Sequence, residues 1–182
     1  MHRHTWRSVA VAVAVVIALT AAPAAAQKPQ TPPAAPAPSG AELVGVTANN
    51  MFAQAFPIER QGIFSGTNTS ANREPGEPRH AAGNRGGHSV WFTWVPAYTR
   101  DVVISTRSSD FDTLLGVYRG RTMAELRRIA SNDDVPPRLT SRVEFRAFAG
   151  NQYRIAVDGY RYGDQTAQTA SAGLYVLRLL DA

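Results

Sequence analysis

Residues 141–147 read S-R-V-E-F-R-A, and this stretch decides the fold class. Its apolar side chains, Val143, Phe145 and Ala147, alternate with charged ones. A period of two places one set of side chains in a core and the other in water, as in a half-buried β-strand. A turn follows, and residues 153–157 repeat the alternation. The pattern therefore predicts two neighbouring strands of a sheet.

Further short segments are rich in β-branched and aromatic residues and are therefore also predicted to be strands. They lie at residues 89–95, 101–106, 113–118 and 173–180, with weaker candidates at 62–66 and 126–130. Gly, Pro, Asn and Asp turns separate them, so we predict an all-β antiparallel sandwich over residues 41–182. Only Asn49–Ala55 has a helical pattern, with Asn49 or Asn50 able to cap it.

The first 40 residues predict an exported chain. Arg3 and Arg7 precede an apolar run, and small residues end at Ala26, which together indicate a secretory signal peptide over residues 1–26. The alternative is a membrane anchor, but the apolar run is shorter than the roughly 20 residues that a spanning helix needs. Residues 27–40 form a Pro/Ala-rich linker. We expect a periplasmic or secreted protein with no membrane span after signal cleavage.

Charge and cysteine content exclude several classes of function. The net charge of +5 comes from arginines scattered over the predicted strands, whereas nucleic-acid-binding proteins usually cluster them on one face. We therefore expect no nucleic-acid partner. The chain has no cysteine, which excludes thiol catalysis and thiolate metal sites.

Acidic residues cluster in loops and at the ends of predicted strands. They are Glu74 and Glu77 in R-E-P-G-E-P, Asp110 and Asp112 in S-S-D-F-D-T, Asp133 and Asp134 in S-N-D-D, and Asp158 in V-D-G. Calcium takes about six to eight oxygen ligands, which converging loops can supply. Alternatively, these are ordinary turn residues whose side chains bond to their own backbone. The spacing alone leaves both interpretations open.

Two tyrosines and two histidines are candidate ligand contacts. Tyr160 and Tyr162 alternate with an arginine in the loop that follows residue 158, and they predict an exposed contact patch. His80 and His88 lie in the long Gly- and Pro-rich loop over residues 67–88, where a binding surface is also expected. No nucleophile elbow or protease signature accompanies them, which disfavours a catalytic role.

The strand over residues 89–95 carries a W-x-x-W pattern. Trp91 must face the side opposite to Phe92 and Trp94, so one side fills the core and the other is exposed or covered by a loop. Packing is the commoner meaning of such a strand, although aromatic rings can also stack on sugars.

An ordered series of blocks runs through the chain. It comprises N-N-M-F-A-Q-A (49–55), G-T-N (66–68), R-E-P-G-E-P-R-H-A (73–81), G-N-R-G-G-H-S-V-W-F-T-W (83–94), S-D-F-D-T-L-L-G-V-Y-R-G (109–120), A-S-N-D-D (130–134), S-R-V-E-F (141–145) and Y-R-I-A-V-D-G-Y (153–160). The series resembles the bacterial pre-peptidase C-terminal domain family. The resemblance implies a jelly-roll-like sandwich of about eight strands without catalytic residues. It also implies calcium, with Glu74, Glu77, Asp112, Asp133 and Asp134 as the matching positions.

These observations favour a non-catalytic module that binds a protein or glycan partner outside the cytoplasm and is stabilised by calcium. One alternative is a small secreted hydrolase that uses loop acids such as Asp110 and Asp133, or a histidine. Another is an accessory or chaperone-like companion of a secreted protease. The sequence does not rank the companion against the binding module.

Overall fold

The computed structural model describes residues 41–43, 49–163 and 170–182. The predicted signal peptide (residues 1–26) and linker (residues 27–40) lie outside the described residues. No helix in the described part of the chain has the length and apolar character needed to cross a membrane.

Ten strands and two short 3-10 turns make up the described fold. The strands are β1 (Ala41–Leu43), β2 (Phe56–Ile58), β3 (Gly62–Thr67), β4 (Val90–Trp94), β5 (Arg100–Ser105), β6 (Thr113–Arg119), β7 (Arg127–Asn132), β8 (Arg142–Ala147), β9 (Tyr153–Gly159) and β10 (Leu174–Asp181). The 3-10 turns are η1 (Phe52–Gln54) and η2 (Met123–Glu125).

The strands form two five-stranded sheets. Sheet 1 has the order β1-β3-β10-β5-β8, and sheet 2 has the order β2-β4-β9-β6-β7. Without the short edge strands β1 and β2, the remaining eight strands have the order of a jelly roll, 3-10-5-8 facing 4-9-6-7. The all-β sandwich predicted from the sequence is confirmed.

The core lies between the two sheets. It contains the aromatic side chains of Phe64, Phe92, Trp94 and Tyr175, with aliphatic residues from the central strands around them. Strand β8 shows the predicted alternation, because Val143 and Ala147 are buried while Arg142, Glu144 and Arg146 are exposed.

Sheet 2 is also covered on its outer face. Trp91, Tyr118 and Ala156 point away from the main core and pack with Phe52 of η1 in a second apolar cluster. The rings of Phe52 and Trp91 meet edge to face with centroids 5.2 Å apart. Strand β4 is therefore buried on both sides, and packing accounts for the W-x-x-W pattern.

Two features differ from the sequence-based expectation. The helix predicted over Asn49–Ala55 is only the 3-10 turn η1, without a side-chain cap. The Asn49 carbonyl accepts the Trp91 N–H at 2.8 Å, which ties this segment to β4 instead of letting it coil into a longer helix. The edge strands β1 and β2 were not predicted because three residues are too few to show a period.

Candidate functional site

Three loop aspartates meet at one end of sheet 2. Asp112 immediately precedes β6, while Asp133 and Asp134 immediately follow β7. Strands β6 and β7 are antiparallel, with Leu115 opposite Asn132, so the start of one lies beside the end of the other. Carboxylate oxygens of the three aspartates lie within 4.8 Å of one another. We call these three residues the acidic site.

Each aspartate of the acidic site keeps one oxygen unpaired. Among the described residues, the buried Oδ1 atoms of Asp112, Asp133 and Asp134 have no hydrogen-bond partner. The Asp133 backbone carbonyl accepts the Ser141 hydroxyl at 2.7 Å, which fixes the loop that carries two of the three acids. Three unpaired oxygens that converge from two fixed loops suit a hard cation such as calcium.

Burial and, after it, the crowding of like charges raise the pKa of two of these residues, Asp133 and Asp112. Burial, followed by the charges of Asp134 and Asp112, raises the pKa of Asp133 to about 6. Burial and the charge of Asp134 also raise the pKa of Asp112, although the hydrogen bond from Tyr162 opposes this change. A bound divalent cation would remove the repulsion among the three carboxylates.

Two tyrosines lie beside the acidic site because β9 is antiparallel to β6, with Gly159 opposite Thr113. The Tyr162 hydroxyl donates a hydrogen bond to Asp112 Oδ2. This bond is the main cause that raises the pKa of Tyr162 to about 12, so the hydroxyl stays a neutral donor. The rings of Tyr160 and Tyr162 lie with centroids 4.9 Å apart.

The exposure of this region suits ligand contact. The Tyr162 side chain is 49 % exposed, whereas Asp112 beneath it is buried. A cleft of about 550 Å³ opens beside Asp112, lined by residues 107–112 and 138–140. Asp110, which also lines this cleft, accepts the Leu174 N–H at 2.7 Å and so serves partly as a turn residue.

Glu74 and Glu77 do not join the acidic site; they belong to a second network on the outer face of sheet 2. Glu77 Oε1 bonds His80 Nε2 at 2.7 Å, and His80 Nδ1 bonds the Tyr118 hydroxyl at 2.9 Å. Glu74 accepts the Phe52 N–H through its carboxylate. The five metal positions implied by the resemblance are therefore divided between two places.

Asp158 lies in the same network as His80. Its side chain is fully buried, and Oδ1 accepts the backbone N–H groups of Gly87, His88 and Gly159 at 2.7–2.9 Å. Burial raises the pKa of Asp158, although the charge of His80 and the backbone hydrogen bonds oppose this change. Burial also opposes ionisation of Glu77, but the hydrogen bond and charge of His80 lower its pKa below the ordinary value.

The two histidines differ from the surface contacts that the loop composition predicted. His80 is fully buried, so it contacts the network and not the surface. His88 is half-buried, and its Nδ1 bonds the Ala71 carbonyl at 2.7 Å. Neither histidine pairs with a serine hydroxyl among the hydrogen bonds of the described residues.

The sequence did not identify Tyr118 as a hydrogen-bond partner of His80, and it did not predict that Asp158 lies beside His80. The available signal was their position in alternating strands: Tyr118 and Asp158 fall on the outer face of sheet 2, opposite to the core residues Val117 and Val157. A polar side chain in such a buried strand requires a hydrogen-bond partner. The sequence does not show that this partner is His80, from the loop between β3 and β4.

Comparisons with known proteins give matches to solved structures alone. No family model and no curated protein matches the chain. One similar structure is the pre-peptidase C-terminal domain of a collagenase from Bacillus anthracis, with 13 % identity, a TM-score of 0.40, and coverage of 78 % of this chain and 96 % of that one. Another is PliG of Aeromonas hydrophila, a periplasmic inhibitor of g-type lysozyme, with 12 % identity, a TM-score of 0.43, and coverage of 79 % and 100 %. The first structure is of the domain type that the sequence resembles.

Proposed function

We propose that this chain is a non-catalytic interaction module that acts outside the cytoplasm and binds a protein or glycan through Tyr160 and Tyr162. A calcium ion held by Asp112, Asp133 and Asp134 stabilises the contact surface. One observation carries the proposal: a half-exposed tyrosine donates its hydroxyl to an aspartate whose other oxygen is buried and unpaired beside two further carboxylates.

The tyrosine pair has the properties of a binding anchor. A tyrosine supplies a large, rigid surface with an apolar face and a polar tip, and it loses little conformational entropy on binding. The hydrogen bond to Asp112 restricts the Tyr162 ring further, because it fixes the end of the side chain. A ring that is half exposed and already fixed contacts a protein surface or a sugar ring at low entropic cost.

Calcium would act on this anchor through Asp112. Oδ2 of Asp112 holds Tyr162, and Oδ1 remains for the ion. Asp133 and Asp134 supply one carboxylate each, and backbone carbonyls and water complete the coordination of a calcium ion. A bound cation keeps Asp112 ionised, which strengthens the hydrogen bond that it accepts from Tyr162.

The proposed location outside the cytoplasm rests on the sequence. The predicted signal peptide directs export, and a chain of this length can rely on core burial instead of disulfides. The two-sheet core and the second cluster over sheet 2 provide that burial.

Arrays of extracellular proteins and glycans test the proposal, with the purified chain as probe in millimolar calcium. Saturable binding that is lost in the Tyr160→Ala, Tyr162→Ala double variant supports it. Tyr98→Ala is the matched control, because Tyr98 is 44 % exposed but lies in the loop between β4 and β5. Absence of binding across broad arrays, or turnover of peptide or glycoside substrates by the same sample, would contradict it.

A further inference from the structure

Three ionisable side chains lie together on the outer face of sheet 2, with no exposure to solvent. Glu77 and His80 come from the loop between β3 and β4, and Asp158 comes from β9. Each residue offers one ligand atom, and these three atoms lie within 4.8 Å of one another. His80 Nε2 lies 2.7 Å from Glu77 Oε1 and 3.9 Å from Asp158 Oδ2. We call these three residues the buried triad.

Each member of the triad has its other polar atom held by a separate partner. His80 Nδ1 bonds the Tyr118 hydroxyl at 2.9 Å, and Glu77 Oε2 accepts the Glu74 N–H at 2.8 Å. Asp158 Oδ1 accepts three backbone N–H groups. Such outer partners orient the ligands of protein-bound metals.

The remaining carboxylate oxygen of Asp158, Oδ2, is buried and has no hydrogen-bond partner among the described residues. It lies 3.9 Å from His80 Nε2, which is too far for a hydrogen bond. An unpaired buried carboxylate oxygen is costly. Its position beside a histidine nitrogen and a second carboxylate means that one cation can contact all three.

Charge balance points the same way. Two carboxylates and one imidazole share this site, and burial penalises each of their charged forms unless a partner compensates it. A divalent cation bound to two carboxylates and a neutral imidazole gives a net charge of zero, which suits a site without solvent.

We propose that the buried triad binds a divalent transition-metal ion of the zinc class through Glu77 Oε1, His80 Nε2 and Asp158 Oδ2. The donor set of one imidazole and two carboxylates suits zinc, which takes nitrogen and oxygen ligands at about 2.0–2.2 Å. A water molecule supplies the fourth ligand. This site is separate from the acidic site, so the inference does not rest on the proposed function.

The observed distances agree with such an ion after a small adjustment. Two ligand atoms of a tetrahedral ion at that radius lie roughly 3.3–3.5 Å apart. The separation of 3.9 Å between His80 Nε2 and Asp158 Oδ2 is slightly longer than this, and the 2.7 Å between His80 Nε2 and Glu77 Oε1 is shorter. Binding therefore needs a widening of the Glu77–His80 contact.

The ion would fasten the loop to the sheet. Glu77 and His80 belong to the long connection between β3 and β4, and the His80 ring packs against Trp91 with centroids 5.3 Å apart. A bond from this loop to Asp158 on β9 holds the loop over the second apolar cluster. Between β3 and β4 the described residues form no helix or strand. A metal ion bound by both the loop and β9 would therefore help to hold the loop in place.

Metal content and zinc titration test the inference. The untagged full chain is purified without chelator, its zinc content is measured, and a chelator-treated sample is titrated with zinc alone. We expect one zinc per chain and visible absorption bands of four-coordinate Co2+ after cobalt substitution. Less than a tenth of one equivalent, with no rise in melting temperature on zinc addition, would overturn the inference and leave a hydrogen-bonded triad.

Matched variants locate the ion. Asp158→Asn keeps an oxygen acceptor for the backbone N–H groups but weakens metal binding, so we expect at least a tenfold loss of zinc affinity. His80→Gln provides a second variant if the first does not fold. The double variant Asp133→Asn, Asp134→Asn should retain one zinc and its cobalt spectrum. Loss of zinc in that double variant would assign the ion to the acidic site and overturn the inference.

Discussion

A single added methyl group should reduce the stability of the fold by very different amounts at two glycines of the same loop. Gly83 and Gly86 have φ values of +69° and +61°, in the left-handed region that disfavours other residues. A Cβ on Gly83 has nothing within 4 Å, whereas a Cβ on Gly86 would lie 1.6 Å from Asp158 Oδ2. The backbone cost of an alanine is therefore similar at the two positions. The difference in stability between Gly83→Ala and Gly86→Ala measures the cost of the steric clash with Asp158.

The expected magnitudes follow from these contacts. The left-handed backbone costs an alanine about 1 kcal/mol at either position. At Gly86 the Asp158 carboxylate must also move, and it is fixed by three backbone N–H groups. Loss of one or two such charge-assisted bonds costs roughly 1.5–3 kcal/mol each. Gly86→Ala should then lose about 2.5–7 kcal/mol, a large part of the stability of an ordinary domain.

Urea unfolding monitored by tryptophan fluorescence measures both losses, because Trp91 lies under this loop beside His80. We expect the midpoint to fall slightly for Gly83→Ala and severely for Gly86→Ala. If the two variants lose equal stability, Asp158 is not held in place and the account of the buried network is wrong.

Three further predictions concern the network, the core and the acidic site. Tyr118→Phe removes the hydroxyl that bonds His80 Nδ1 and should cost about 1–3 kcal/mol in urea unfolding, whereas Tyr98→Phe should change it little. Phe92→Ala, in the centre of the core, should lower the free energy of unfolding by about 3–5 kcal/mol in the same assay. A loss of less than about 1 kcal/mol would contradict the packing described for Phe92. The pKa of Asp133, raised to about 6 from about 3.9 in the unfolded chain, means that the calcium-free folded state binds this proton more tightly. Stability should therefore fall as pH rises from about 4 to 6, and Asp133→Asn should remove that contribution; an identical pH dependence in the variant would refute it.

Most of the strands could be predicted from the sequence, because the alternation of apolar and polar residues is a local signal. Residues 141–147 and 153–157 predicted strands that the structure places at β8 and β9. The pairing of β5 with β8 and of β10 with β3 depends on contacts between distant segments. Periodicity along the chain does not encode which strands pair, so the jelly-roll order came from the resemblance.

The candidate sites were partly predictable for the same reason. Asp112, Asp133 and Asp134 were among the acids that the pattern places in loops and at strand ends, and the resemblance singled them out as metal positions. Antiparallel pairing of β6 and β7 brings them together. Glu74 and Glu77 looked equivalent in composition, but their loop folds over the outer face of sheet 2, where Glu77 pairs with His80. The side of a sheet that a long loop covers depends on packing, which the spacing of acids does not record.

The role of Tyr162 depends on one contact that no sequence pattern contains. Its exposure was expected from a loop that alternates aromatic and charged residues, whereas the hydrogen bond to Asp112 requires that the ends of β6 and β9 coincide. This contact links the predicted ligand surface to the predicted metal site, and it makes calcium a testable determinant of binding.

Thermal unfolding of the chelator-treated chain, with and without millimolar calcium, tests the central claim most directly. An ion that binds only the folded state adds about 2.7 kcal/mol at a hundredfold excess over its dissociation constant, which corresponds to roughly 10 °C for a domain of this size. We predict such a rise for the native chain and for the control Asp101→Asn, whose exposed pair with Arg146 contributes little. The rise should disappear in Asp133→Asn and Asp134→Asn. Identical melting with and without calcium would contradict the calcium site and leave the tyrosine surface without its proposed support.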